Sequence, residues 1–113
     1  MTKHDCYMIA FQHQEDTPDL ILVHGYPINT GPRIGERFGH AWLEDSDGIL
    51  IYDRKYILPR ELYYRIGKID ELQCQRFTRI ESLRQALTTK HYGPWGQVPT
   101  GVWFGRSGRL EQT

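Results

Sequence analysis

The 113-residue chain has room for one domain with a modest core. Its 14 basic residues balance its 14 acidic ones, so no net charge favours a nucleic acid or an acidic membrane as a partner. No apolar run approaches the ~20 residues of a membrane span, and the first residues lack the apolar stretch of a signal peptide. We therefore expect a soluble cytoplasmic protein that binds no nucleic acid and no membrane.

The first predicted element is a helix over residues 6–14, with Asp5 as its N-terminal cap. This places Cys6 in the first turn, where the helix dipole and free amide groups favour a thiolate. Residues 6–11 also form a continuous apolar run, so a buried strand is the alternative.

Two cysteines are too few for a disulfide framework, and cytosolic thiols stay reduced.

Next come a strand at 20–25, rich in branched apolar residues, and a loop at 28–36 that contains Gly31, Pro32 and Gly35. Residues 38–53 then predict a β-hairpin, with strands 38–44 and 49–53 joined by the turn 45–48.

Strand alternation within this hairpin places His40 and Trp42 on one face. With a four-residue turn, the register puts His40 across from Asp53. A carboxylate there would accept a hydrogen bond from the imidazole and fix its tautomer.

A helix over 59–66 starts at Pro59 and is capped by Gly67. Leu62, Tyr63 and Ile66 are its predicted inner face. A further strand is predicted at 72–77.

Residues 79–90 predict the last helix. Thr78 and Glu81 form a capping box, and apolar residues follow at helical spacing: Ile80, Leu83 and Leu87. The glycine-rich stretch 96–113 is expected to be a partly ordered or flexible tail after a single α+β domain at 1–95. The predicted fold class is thus α+β, a small antiparallel sheet with an N-terminal helix that carries Cys6 and a C-terminal capped helix.

Cys6, His40 and Asp53 are the candidate catalytic residues. A thiolate at a helix start can attack a carbonyl, an imidazole can transfer the proton, and a carboxylate can orient the imidazole ring. Cys74, among apolar neighbours on a predicted strand, is expected to be an inert core residue.

The motif His40-Ala41-Trp42-Leu43-Glu44, followed by Asp53, resembles the His-Ala-Trp and Asp strands of the transglutaminase-core and papain-like superfamily, whose chain order is also Cys, His, Asp. The wider pattern at 6–95, with Cys6-Tyr7 and His91-Tyr92-Gly93-Pro94-Trp95 at its ends, is similar to a family of small phage and bacterial proteins of uncharacterised function. The resemblance implies a minimal papain-like fold. It also implies a cysteine-dependent hydrolase of peptide, isopeptide or amide bonds that needs no cofactor and takes a peptide or protein as its substrate or partner.

Four further residues are candidates for a substrate cleft: His24, Tyr26, Trp42 and Trp95.

Three other interpretations stay open. A zinc site could in principle form from His4, Cys6, His24, His40 and Asp53, but no paired metal-ligand spacing is present, so no metal is expected.

The segment Leu22-Val23-His24-Gly25-Tyr26 resembles the His-Gly opening of ADP-ribosyltransferases, in which the histidine holds a ribose. A non-enzymatic adaptor on a papain-like scaffold is the remaining alternative. Its sign would be an exposed apolar patch formed by Trp95, Val102, Trp103 and Phe104.

Overall fold

The computed structural model describes residues 5–31 and 34–103, with the backbone alone at Asp5. Within these ranges the chain forms three α-helices and one five-stranded antiparallel sheet, with one helix at the N-terminal end and another near the C-terminal end. The predicted α+β class is confirmed.

The helices are α1 (Asp5–Asp16), α2 (Arg60–Gly67) and α3 (Arg79–Thr89), with a short 3-10 helix at Glu71–Gln73. The strands are β1 (Ile21–Gly25), β2 (His40–Glu44), β3 (Leu50–Asp53), β4 (Tyr56–Pro59) and β5 (Gln75–Phe77). Their order across the sheet is β4-β3-β2-β1-β5, and all neighbouring pairs are antiparallel.

Side chains alternate along the strands and give the sheet two buried faces. The face under α1 carries a cluster that includes Cys6, Phe11, Leu22, Leu43 and Trp95. The opposite face carries Val23, Trp42 and Ile51, against which Tyr63 and Tyr64 of α2 pack.

The apolar run near the N-terminus is helical, so the helix prediction is confirmed over the strand alternative. The helix is tied to the sheet by Gln14, whose side chain is fully buried. Its amide nitrogen donates to the carbonyl oxygens of Leu20 and Phe77 over 2.9 and 3.1 Å, and its oxygen accepts from the Ser82 hydroxyl over 2.7 Å. One polar side chain thereby joins α1 to the residue just before β1, to the end of β5 and to α3.

Strand β4 was not predicted from the sequence. Arg54 and Lys55 make a two-residue turn between the paired residues Asp53 and Tyr56, so β3 and β4 form a second hairpin. Neither turn residue is the Gly or Asn that normally marks such a turn. Pro59 ends β4 at the edge of the sheet, where the missing N–H costs no ladder bond.

Helix α2 differs from its prediction at both ends and on its inner face, and it starts at Arg60, with Pro59 as its N-cap. Gly67 is the last helical residue, and Lys68 takes the left-handed cap conformation with φ 47°. Glycine leaves space at 67, because a Cβ there would lie 3.0 Å from Pro27, closer than an ordinary contact, and Pro27 would have to shift slightly. The predicted inner face is right only at Tyr63, since Leu62 and Ile66 are exposed.

The strand predicted at 72–77 is shorter than expected. Residues 71–73 form the 3-10 helix, in which the Asp70 side chain accepts from the Leu72 amide over 3.0 Å. Leu72 is 94% exposed and is not a core residue. Only Gln75–Phe77 pair with β1.

The capping box at α3 is confirmed: Thr78 accepts from the Glu81 amide over 3.3 Å, and the Thr78 amide donates to the Glu81 carboxylate over 2.9 Å. Its apolar stripe, however, points to solvent, with Ile80 and Leu87 well exposed. Ser82 faces the core instead and meets Gln14.

The chain between 96 and 103 packs on the domain. Val102 is buried in the α1-side core, and Trp103 forms a parallel bridge with Phe38 through backbone hydrogen bonds. Trp95 and Val102 are each 3% exposed, so the exposed patch expected for an adaptor does not form from them. Phe104 and the rest of the tail lie outside the described residues. Within the described ranges, no helix is long and apolar enough to cross a membrane.

Candidate active site

Three secondary-structure ends bring the predicted catalytic residues together. Cys6 lies in the first described turn of α1, His40 is the first residue of β2, and Asp53 is the last residue of β3. Helix α1 packs across β2, which sets the thiol beside the imidazole.

The His40 ring and the Asp53 carboxylate are in direct contact. His40 Nε2 lies 2.8 Å from Asp53 Oδ2, within the separation of 2.6–3.2 Å expected of such a pair. The register is not the predicted one. Leu43 pairs with Tyr52, and continuing this register places Asp53 opposite Trp42, so the carboxylate reaches His40 diagonally.

The predicted register was wrong by two residues because the four-residue turn lies one residue later than expected, at 46–49 and not at 45–48. The backbone bond from Asp45 to Leu50 closes it, and the Asp45 carboxylate also accepts from the Ile49 amide over 2.7 Å. A shift of two residues keeps each side chain on its own face, whereas a shift of one would have separated His40 from Asp53.

Tyr63 on α2 is a fourth member of this cluster that the sequence analysis did not assign to the site. Its hydroxyl donates to Asp53 Oδ2 over 2.7 Å, so the imidazole and the phenol share one carboxylate oxygen. Helical periodicity indicated that Tyr63 faces inward, but nothing local to residue 63 pointed to Asp53.

The histidine and the carboxylate hold each other in their charged forms. Burial alone would lower the pKa of His40, but hydrogen bonds to Asp53 and to the Cys6 thiol outweigh it and raise the pKa to about 9. Burial alone would raise the pKa of Asp53, and the hydrogen bond from His40, the His40 charge and the Tyr63 hydroxyl lower it below the ordinary value.

The Cys6 thiol occupies the other side of the His40 ring. Because Nε2 is engaged by Asp53, the ring nitrogen left for the thiol is Nδ1. Cys6 is 3% exposed, so a reactant must approach it along the cleft between α1 and the sheet. The thiol, the imidazole and the carboxylate are therefore adjacent in the order that acyl transfer requires.

That cleft is small and open on one side. One wall is a single face of α1, formed by Cys6, Ile9, Ala10 and His13. The opposite wall is the end of β3 and its turn, formed by Tyr52, Asp53 and Arg54. Ala41 and Trp42 of β2 complete the lining.

Of the four residues predicted to form a substrate cleft, only Trp42 lines it. Tyr26 and Trp95 are buried in the α1-side core, each 3% exposed.

His24 is fully buried among aromatic rings: its ring centroid lies 4.8, 5.0 and 5.1 Å from those of Tyr7, Trp95 and Phe77. Neither nitrogen has a hydrogen-bond partner within the described part of the chain, and burial lowers the pKa to about 3. A neutral, enclosed imidazole of this kind does not offer the ribose contact of the ADP-ribosyltransferase interpretation.

A second polar cluster, on the α2 face, is saturated by its own partners. The buried Glu44 carboxylate accepts from Trp42 Nε1 over 3.0 Å, from Arg60 Nε over 3.1 Å and from the Tyr64 hydroxyl. Cys74 lies half-buried beside Tyr64, and burial raises the pKa of its thiol. Cys74 thus sits in a setting unlike that of Cys6.

Among residues 5–31 and 34–103, no group of three or more His, Cys, Asp or Glu side chains is placed to hold a metal ion. In comparisons with known proteins, no family model, no curated protein and no solved structure matches this chain. The geometry around Cys6 is therefore the basis for assigning a function.

Proposed function

We propose that the protein is a cysteine-dependent acyl-transfer hydrolase that acts on a peptide, isopeptide or amide bond. Cys6 is the nucleophile, His40 transfers the proton, and Asp53 holds the imidazole in the required tautomer and orientation. The observation that carries the proposal is the 2.8 Å contact between His40 Nε2 and Asp53 Oδ2, with the Cys6 thiol on the remaining side of the ring.

The reaction proceeds in two balanced halves. The Cys6 sulfur attacks the carbonyl carbon and forms a C–S bond, and the proton held by His40 passes to the leaving nitrogen as the C–N bond breaks. A water molecule then gives a proton to His40 and attacks the thioester. The C–S bond breaks, which releases a carboxylic acid and restores the free Cys6 sulfur beside a protonated His40. If an amine replaces the water, the same site performs transamidation.

The charges around His40 suit the first half. The imidazolium is stabilised by Asp53, whose Oδ2 is itself fixed by Tyr63, so the ring does not have to find its orientation during the reaction. The raised pKa of His40, about 9, keeps the ring charged next to the sulfur at neutral pH.

The test is to trap the acyl-enzyme. The folded protein is mixed with p-nitrophenyl acetate, quenched in acid, digested and mapped by mass spectrometry for acetylated cysteine. We expect a burst of nitrophenol and an acetyl group on Cys6. His40→Ala should abolish the burst, Asp53→Asn should slow it, and Cys74→Ser is the matched control that should leave it unchanged.

The same variants should then be compared on a peptide library for amide cleavage. The proposal fails if the folded wild-type protein shows no acetyl-Cys6, or if Cys6→Ser retains the burst and the peptide cleavage of the wild type.

A further inference from the structure

The cleft is small, but its lining continues along α1 past the Cys6 sulfur. One wall of the cleft is a single face of α1, formed by Cys6, Ile9, Ala10 and His13. From Cys6 to His13 this wall spans eight residues, about 10 Å at a rise of 1.5 Å per residue. The opposite wall ends at Arg54. A substrate bound at Cys6 therefore lies between Arg54 on the strand side of the cleft and His13 at the far end of the helix wall.

Arg54 sits in an unfavourable backbone conformation for its type. It is the first residue of the two-residue turn between β3 and β4, and its φ is 58°. That position in tight hairpins favours Gly or Asn, because a Cβ is strained at positive φ. Strained residues that persist next to a cleft are often retained for what their side chain does.

The Arg54 guanidinium makes no ion pair within the described part of the chain, although its charge is one of the causes that lower the pKa of Asp53. Across the described ranges, every ion pair involves other residues, and no carboxylate lies within 4.0 Å of the Arg54 guanidinium. Asp53 lines the same cleft, but its Oδ2 already accepts from both His40 and Tyr63. The cleft therefore presents a cation to any ligand that enters.

We propose that this cleft selects substrates with a carboxylate close to the scissile bond, and that Arg54 is the specificity-determining residue that binds it. The inference rests on the proposed function, since it names the substrate class of the Cys6 site. A guanidinium binds a carboxylate through paired N–H donors, which makes arginine well suited to this role. An acidic side chain or a free carboxylate of a peptide meets the requirement.

The test compares two alkylating reagents of nearly equal size, anionic iodoacetate and neutral iodoacetamide. The rate of alkylation of Cys6 by each reagent is measured by peptide mapping, and the ratio of the two rates is taken, with Cys74 in the same molecule as the internal reference. His40 contributes to this ratio in every variant, so the quantity of interest is the change caused at position 54.

Arg54→Gly should lower the iodoacetate preference about two- to fivefold, the range an exposed ion pair supports, and should raise the Tm because the positive φ is relieved. Arg54→Lys keeps the charge and should retain most of the preference. Arg84→Ala, an exposed cation on α3, is the matched surface control and should leave the ratio unchanged. In the wild type, added salt should weaken the preference.

Two results would overturn the inference, and they are distinguishable. If Cys6 reacts readily with both reagents and Arg54→Gly leaves the ratio unchanged, the carboxylate specificity is wrong while the acyl-transfer proposal stands. If Cys6 in the folded wild type reacts with neither reagent, the proposed function falls and the substrate class falls with it.

Discussion

The Tyr63 hydroxyl donates to Asp53 Oδ2 over 2.7 Å, at the oxygen that also receives the His40 ring. Helix α2 thus reaches across the sheet face to fix a carboxylate that lies at the end of β3. Two donors on one oxygen leave the carboxylate little freedom to rotate. This contact makes the phenol a positioning group for the candidate site.

Tyr63→Phe should raise the pKa of Asp53 toward its ordinary value, because one hydrogen bond to the charged form is lost. We expect a loss of about 1–3 kcal/mol in the free energy of unfolding and slower acetylation of Cys6. Carboxyl NMR titration and the acyl-enzyme assay measure both. Tyr64→Phe, whose hydroxyl serves Glu44, is the control, and an Asp53 titration equal in both variants would contradict the assignment.

His40 should make the stability of the domain fall as the pH rises. Its pKa is about 9 in the fold and about 6.5 when unfolded, so the native state binds more protons between these values. The stabilisation is complete below about pH 6.5 and is lost by about pH 9. Its upper limit is about 3 kcal/mol, since one pKa unit corresponds to about 1.4 kcal/mol.

Urea unfolding at a series of pH values measures this slope directly. His40→Gln should flatten the decline between pH 6.5 and 9, whereas His13→Gln, on the helix wall of the cleft, should leave it in place. Equal slopes in wild type and His40→Gln would show that another group governs this pH range.

Thr78→Ala should lower the free energy of unfolding by about 0.5–2 kcal/mol, because the Glu81 amide loses its capping oxygen. The acetylation rate of Cys6 should not change, since α3 lies outside the cleft lining. Thr88→Ala, exposed in the last turn of the same helix, is the control for removing a threonine side chain. Slower acetylation at unchanged stability would mean that Thr78 serves the site.

Gln14→Leu should cost about 2–4 kcal/mol, since the carbonyl groups of Leu20 and Phe77 and the Ser82 hydroxyl lose a buried partner. Adding Ser82→Ala should recover part of the loss, because one unpaired group is removed. Gln12→Leu on the exposed side of α1 should change stability by less than about 0.5 kcal/mol. Chemical denaturation of the wild type, Gln14→Leu, Ser82→Ala and the double variant forms a double-mutant cycle, in which additive effects would argue against the contact.

Elements with local chemical signals were predictable from the sequence. The capping box at Thr78 and the alternation around Trp42 each depend on residues within a few positions, and both are present in the structure. The pairing of His40 with Asp53 followed from the same alternation even though the register was off by two residues, because a shift of two preserves the face.

Features set by distant contacts were not predictable in this way. The turn at Arg54 has no Gly or Asn, so β4 carried no hairpin signal. The apolar residues of α3 face solvent, whereas the apolar face of a helix normally faces the core. The inner face of α3 is held instead by the hydrogen bond between Ser82 and Gln14, which are 68 residues apart in the chain. A candidate cleft residue such as His24 became a core residue through packing that no local pattern reveals.

The burial of His24 also makes the stability of the domain depend on pH. The pKa of His24 is about 3 in the fold and about 6.5 in the unfolded chain. Between these values the unfolded state binds more protons, so the free energy of unfolding decreases as the pH falls. The change in the free energy of unfolding with pH that His24 causes is opposite in sign to the change that His40 causes. Two histidines on adjacent strands thus both favour a stability maximum near pH 6.5, and each destabilises the domain when the pH moves away from it in one direction.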